Sequence, residues 1–263
     1  MNFRQFDLSQ LWLRFQGRYQ RTVNSVLFRR LIDMRNDVPY ISFTFDDFPR
    51  SALHTGGAIL MQFGLRATYY ASFGLMGKEV PPGKIFVLDD VKELLSKGHE
   101  LGCHTYDHYP AFKTRPKVFE DSIVKNRHFL YALLPGAVFR SFSYPIGGPC
   151  PGTKLRTSRY FECCRGGGQT FNFGVADLNL LKGFFLEKKR GAPHFIQEVI
   201  DRSCKARGWL IFATHDIDDK PSPFGCTPSF FEDVVKYSLN SGAKILPVAK
   251  ALDAIRAELL DGG

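Results

Sequence analysis

Two short stretches of this chain carry side chains suited to chemistry: TFDD at Thr44 to Asp47 and HTYDH at His104 to His108. Together they supply a carboxylate pair and two imidazoles four residues apart, the parts needed to hold a divalent cation and activate water. Structural zinc normally takes four protein ligands, whereas catalytic zinc keeps a position for water, so two histidines and one carboxylate favour chemistry over scaffolding. If HTYDH is helical, its spacing puts both rings on one face with their nitrogens converging. The donor balance admits zinc, cobalt, nickel or manganese. Neither motif suffices alone, because acids after a strand are common as caps and histidines at helical spacing are common on surfaces. Their order gives them weight. Each follows an apolar run, and a third such run, Trp209 to Thr214 (WLIFAT), is followed by His215.

The elements that must position these residues are legible as a rhythm. Tyr40 to Phe45 (YISFTF) is β-branched and aromatic, with Pro39 before it and Asp46 and Asp47 after it, and reads as a buried strand. Adjacent strand residues point to opposite sides, so the two acids can take separate roles, one on metal and one on a proton, only if the chain turns at Phe48 and Pro49. Further extended runs fall at Ala67 to Ser72, His99 to Cys103, Val138 to Phe142, Trp209 to Thr214 and Ala243 to Leu246. Helix-like stretches such as Asp89 to Lys97 separate them, which is the alternation of a (β/α) barrel with its site residues after the strands. The length of 263 residues fits one such domain. Glycine and proline gather at Tyr144 to Gly152 and Arg165 to Gly168, which read as loops near the site.

From about Pro39 to Ala254 these ordered motifs resemble the polysaccharide deacetylase family, the NodB-homology or family-four carbohydrate esterases. The resemblance implies an α/β fold, a distorted and incomplete (β/α) barrel, as a single catalytic domain over residues 39–263. It makes Asp46 the catalytic base and Asp47, His104 and His108 the metal ligands, with zinc the first choice of metal. His99, within GHELGCH, is structural in this reading. FSYPIG, Phe142 to Gly147, is similar to the third motif, which lines the groove; Tyr144, Pro145 and Ile146 fall there, and the Ile146 N–H faces the oxyanion. Many members carry an arginine where this chain has Ser143, and that arginine holds the base; Arg140 and Arg165 are both available to replace it. WLIFATHDI is similar to the fifth motif, which makes His215 the general acid and Ile211 part of the acyl pocket. The usual Asp-and-Trp fourth motif is absent. CCRGGGQTFNF stands there instead, and a subset of the family with FxYPxG carries such an Arg-Gly stretch, which turns Arg165 toward the site. PSPFGCTP, Pro221 to Pro228, is typical of that subset and also reads as a loop capped by Thr227.

The implied activity is hydrolysis of an N-acyl group, acetyl or formyl, from an amino sugar in a polysaccharide, lipid-linked or nucleotide-linked glycan. The alternatives are hydrolysis of a non-sugar C–N bond or an O-acyl ester on the same fold, and a noncatalytic glycan-binding barrel. An excess of nine positive charges suggests anionic partners. No zinc-finger spacing, RNP motif or Lys/Arg block points to nucleic acid. Arginines alternate with apolar residues over Asn2 to Asp37, so residues 1–38 read as a basic amphipathic helical extension, either packed on the barrel or lying peripherally on an anionic membrane face. Six cysteines in a chain of this size read as reduced thiols. With no apolar signal-peptide core and no stretch of about 20 apolar residues, the expectation is a cytoplasmic chain. Oligomeric state has no signal in the sequence.

Overall fold

The structure is a computed structural model describing residues 22–188 and 192–261. In chain order its strands are β1 (Leu31–Met34), β2 (Tyr40–Phe45), β3 (Thr68–Ala71), β4 (Glu79–Val80), β5 (Gly83–Lys84), β6 (Glu100–Cys103), β7 (Ser141–Ser143), β8 (Cys163–Arg165), β9 (Gly174–Asp177), β10 (Phe184–Phe185), β11 (Trp209–Thr214) and β12 (Lys244–Ile245). The helices are α1 (Ala58–Gln62, entered through a π-helical turn, Ala52–Gly57), α2 (Leu88–Ser96), α3 (Pro116–Leu133), α4 (Pro151–Thr157), α5 (Pro193–Lys205), α6 (Pro228–Asn240) and α7 (Val248–Asp261). Four of them, α3 to α6, begin on proline, whose missing N–H is no loss in a first turn.

An eight-stranded parallel sheet runs β10-β11-β2-β3-β6-β7-β8, with β12 also on β2. The N-terminal half of β2 pairs with β12 at Tyr40 and Ile41, and its C-terminal half with β3 at Thr44 and Phe45. The sheet's two ends curl toward each other. Leu181, just ahead of β10, bridges Arg165 at the end of β8, and Gly166 donates to the Leu181 carbonyl at 2.8 Å. This is the distorted, incomplete barrel expected.

The two-residue period of a strand sorts the side chains into two cores. Ile41, Phe43, Phe45, Leu210 and Phe212 point outward into the larger cluster, under the helices. Tyr40, Trp209 and Ile211 point inward into a smaller cluster, floored by Val248, Ala251, Leu252 and Ile255 of α7. Ser42 faces inward too, where its hydroxyl accepts from the Trp209 indole at 3.0 Å and donates to the Leu246 carbonyl at 2.7 Å. The outer core holds most of the apolar burial, with Phe45 stacked on Tyr69 and Phe48 on Phe86. Truncating one of these rings to alanine costs about 3–5 kcal/mol.

The strand runs read from sequence are all present, two of them unchanged in their bounds (β2 and β11), and Val138 to Phe142 shifts to Ser141–Ser143. The extension differs. Residues 22–26 are helical, but Leu31–Met34 form a strand paired antiparallel with β9, so Asn2 to Asp37 is not helical throughout; residues 1–21 lie outside the described residues. Alternation of arginine with apolar residues suits a two-sided ribbon as well as a helix, and pairing with β9 decided between them. Fully buried Lys154 fastens this segment, donating to the Asn24 and Leu27 carbonyls at 2.6 and 2.8 Å and pairing with Asp177 at 2.5 Å. No disulfide joins any of the six cysteines among the described residues. No helix among the described residues is long and apolar enough to cross a membrane.

Candidate active site

Parity places the acids. Asp46 continues the inward series of β2 by two residues beyond Thr44, and its N–H extends the ladder to the Thr214 carbonyl at 2.9 Å. The chain then breaks into the left-handed region at Asp47 (φ 60°) and Phe48 (φ 54°), so Asp47 does not follow the pleat to the outer face. Both carboxylates therefore sit at the barrel mouth, each almost fully buried.

Asp47 is the centre of a donor cluster. Its Oδ1 lies 2.8 Å from His108 Nε2 and 3.6 Å from His104 Nε2, and it makes no hydrogen bond of acceptable geometry. The ligand atoms of Asp47, His104 and His108 lie within 4.8 Å of one another. The histidines reach it by a route other than the expected one. HTYDH is not a helix but a loop, turned back on itself by left-handed Thr105 (φ 61°) and His108 (φ 55°) and by the Thr105 hydroxyl, which accepts from the His108 N–H at 3.1 Å. His104 Nδ1 donates to the Ser143 carbonyl at 2.8 Å, which fixes the tautomer and leaves Nε2 with its lone pair on the Asp47 side. Burial pushes His104 down to about 4, so the ring is neutral near pH 7. Burial raises the Asp47 carboxyl, but the imidazoles of His108, His104 and His215 outweigh it and hold the group well below the usual carboxylate range. A buried carboxylate oxygen between two imidazoles, without a hydrogen bond of its own, fits a divalent cation.

Asp46 has a different partner. The guanidinium of Arg165, at the end of β8 and 1% exposed, donates to Asp46 Oδ1 and to the Ser143 hydroxyl, the latter at 2.5 Å. Ser143 and Arg165 face each other in the β7–β8 ladder, which explains how one strand can supply the cation where its neighbour carries a hydroxyl. Arg140, the other option, lies before β7 and binds Glu162 and Asp253 instead. The Arg165 guanidinium stacks between Tyr70 and Phe185, each 5.4 Å away. Tyr70 can lie there because Gly102, on the next strand, has no Cβ; one would fall 2.4 Å from the tyrosine ring. Burial raises Asp46, and Arg165, His104 and His215 more than reverse it, so the carboxyl stays ionised.

His215 completes the mouth, its Nε2 3.9 Å from Asp47 Oδ2 and its ring 5.5 Å from Phe224. Phe224 sits on the PSPFGCTP loop, which is tied down by Asp216 accepting from the Ser222 N–H and hydroxyl at 2.7 and 2.6 Å and by Thr227 capping α6.

The expected groove residues divide. Ile146 is exposed and left-handed (φ 48°), and its N–H has no acceptor among the described residues. Pro145 is buried, and its carbonyl accepts from Ala111 at 3.1 Å. Tyr144 turns away from the groove: its ring packs on Phe142 in the outer core and its hydroxyl donates to the Asn179 carbonyl at 3.2 Å. Ile211 is fully buried in the lower inner core, four residues and about 13 Å of strand below His215, too deep to line an acyl pocket. Ala213, two residues above it on the same face, is the inward position next to the site. Counting back from His215 by two would have found it, and Tyr70 and Phe185 had no signal in the sequence. A second donor cluster, His54, Asp90 and Glu93, is already satisfied by Arg50, which holds both Asp90 oxygens at 2.9 and 3.1 Å.

Residues 33–159 match a family model described as polysaccharide deacetylase. No curated protein sequence matches the chain. Among solved structures it resembles a variant of the peptidoglycan deacetylase PdaC from Bacillus subtilis, at 15% identity over 88% of this chain and 97% of that one, with a TM-score of 0.56. A family 4 carbohydrate esterase from Streptomyces lividans in complex with acetate is 16% identical over 81% of this chain and 92% of its own, with a TM-score of 0.52. A CE4 family pseudoenzyme from Bacillus anthracis is 14% identical over 83% and 67%, with a TM-score of 0.57. At such identities these structures speak for the fold. The chain shares its fold with these structures, and the segment that carries the acids and both loop histidines is the one that matches the polysaccharide deacetylase model.

Proposed function

We propose that this chain is a metal-dependent hydrolase that removes an N-acyl group, acetyl or formyl, from an amino sugar within a glycan. The observation that carries the reading is the convergence, at one barrel mouth, of an Arg165-held Asp46, the Asp47–His104–His108 cluster and His215. Asp47, His104 and His108 would hold the cation, zinc being the best match to two imidazoles and a carboxylate. When bound, the cation supplies Lewis-acid polarisation of an acyl carbonyl and acidifies water.

The chain's own residues do the rest. Asp46, kept ionised and oriented by Arg165, accepts the proton of the attacking water. Arg165 lowers the basicity of that carboxylate but fixes where its charge stands. The exposed mouth beside the Ile146 N–H offers a donor to the oxyanion of the tetrahedral intermediate. His215 gives its proton to the departing amine nitrogen, without which the amide cannot leave readily. Residues 39–263 form the catalytic domain in this reading, and β1 ties the preceding extension to β9. A cytoplasmic chain of this kind would act on a nucleotide-linked sugar, a lipid-linked precursor or a glycan under assembly.

A noncatalytic barrel is the second reading, prompted by the fold's likeness to a pseudoenzyme. The retained Asp46–Arg165 pair and His215 favour catalysis, because binding alone needs neither base nor acid. The test is acetate and formate release by the zinc-loaded protein from a panel of N-acylated sugars, beside Asp46→Asn. Release that is lost in the variant supports the proposal. Silence across the panel, with the metal retained, turns the reading toward binding.

A further inference from the structure

The N-terminal ends of the strands, opposite the mouth, carry a second polar site. An open cleft of about 320 Å³ there is lined by Arg30, Arg127, Arg140, Arg159, Arg256 and Glu162. Its position follows from the ladder: Arg140 and Glu162 immediately precede β7 and β8, whose far ends carry Ser143 and Arg165, so roughly 10 Å of strand separates the two sites.

The charges do not balance. Arg140 and Arg256 share Glu162, each at 2.6 Å, and Arg140 also holds Asp253 at 2.6 Å. The other three guanidiniums have no carboxylate among the described residues. Arg30 donates to the Phe161 and Glu162 carbonyls at 2.9 and 2.7 Å, and its Nε is buried without a partner. Arg127 donates to the Tyr160 carbonyl at 2.8 Å and lies 5.5 Å over the Tyr160 ring. Arg159 is exposed. Five guanidiniums thus face two carboxylates, an excess of three positive charges in one concavity. Like charges at such density repel, and a folded chain holds them together at a gain only when an anion joins them. Guanidinium forks match tetrahedral oxyanions, with several N–H donors per group and no acceptor to repel the ligand.

We propose that this cleft binds a phosphate-bearing group. Neutral sugars have no use for the unbalanced charge, and a single carboxylate would leave most of it uncompensated. The group comes either from a soluble phosphate compound or from the headgroup of an acidic lipid. This site is separate from the hydrolytic mouth, and its occupancy does not depend on what the mouth cleaves.

The test takes the full-length, zinc-loaded chain in two arms: calorimetric titration with inorganic phosphate, and cosedimentation with phosphatidylcholine vesicles with and without phosphatidic acid. Binding in either arm should weaken roughly tenfold or more in Arg127→Ala/Arg159→Ala, which removes two charge-assisted donors. Arg159→Glu, a change at an exposed side chain that leaves the Tyr160 contact alone, should weaken the same arm. Lys92→Ala/Lys236→Ala, which removes equal charge from α2 and α6, should not. The arm that responds identifies the source. No binding in either arm, binding unchanged in the arginine variants, or equal loss in the lysine control would overturn the proposal.

Discussion

Asp46 and Arg165 stand 119 positions apart in the chain and meet as a buried ion pair across the barrel mouth. The pair is made possible by one ladder contact, Ser143 opposite Arg165, which puts the guanidinium in reach of both the serine hydroxyl and the carboxylate. Removing one member of such a pair strands the other as an unpaired charge in a dry site.

Arg165→Met should therefore destabilise the fold by about 3–5 kcal/mol in urea unfolding. The double variant Asp46→Asn/Arg165→Met should recover most of that loss, since no charge is left stranded. A double variant no more stable than the single one would mean that Arg165 stabilises through its stacking on Tyr70 and Phe185 rather than through Asp46.

Metal content separates the two carboxylates. His104→Ala and His108→Ala should fall from about one ion per chain to near none by mass spectrometry, and Asp46→Asn and His215→Ala should keep theirs. Chelation should also lower Tm in wild type but not in the two ligand variants, because a ligand bound only by the folded state adds to its stability. Full metal content in His108→Ala would remove that histidine from the set.

Loss of the general acid should depend on the leaving group. His215→Ala should lose roughly 10²-fold or more in kcat on an N-acetyl sugar. It should lose far less on an activated aryl ester, whose phenolate departs without a proton. Equal losses on both substrates would assign His215 to positioning instead.

His99 makes the fold sensitive to acid. Burial, with Arg66 and Lys97 nearby, pushes its pKa from the ordinary 6.5 down to about 4, and its Nδ1 accepts from the Ala67 N–H at 3.0 Å. The folded state binds this proton less readily than the unfolded state. Stability is thus whole above about 6.5 and falls as pH drops toward about 4. His99→Gln, whose side-chain oxygen can accept from Ala67, should flatten that limb of the stability–pH curve. An unchanged slope would place the acid sensitivity elsewhere.

The sequence told more about which residues meet than about how they meet. His104 and His108 were found by spacing, but the reason is a strained loop instead of a helix, since HTYDH holds no helical signal beyond that spacing. Asp46, Asp47 and His215 were legible because each follows an apolar strand, and strand parity survives in a linear string. The choice between Arg140 and Arg165 was not legible. It depends on the register of β8 against β7, which nothing in either segment specifies alone. Ile211 has the right parity but the wrong depth, and Tyr144 lies next to the loop with its ring in the core. The arginine-rich segment before Tyr40 gave no hint of its antiparallel partner, because β9 lies far along the chain.

Five residues in left-handed backbone, Asp47, Phe48, Thr105, His108 and Ile146, crowd the mouth, and none is glycine. Each holds a conformation that side chains disfavour, so an unconstrained search for a steadier version of this protein would replace several of them with glycine or asparagine. Two of the five belong to the Asp47–His104–His108 donor cluster, and a third is the residue whose N–H the proposed function offers to the oxyanion. Screens that rank variants by thermal stability alone would thus drift toward barrels that fold better and catalyse less, and the loss would begin at these turns, well before the core gave any sign of change.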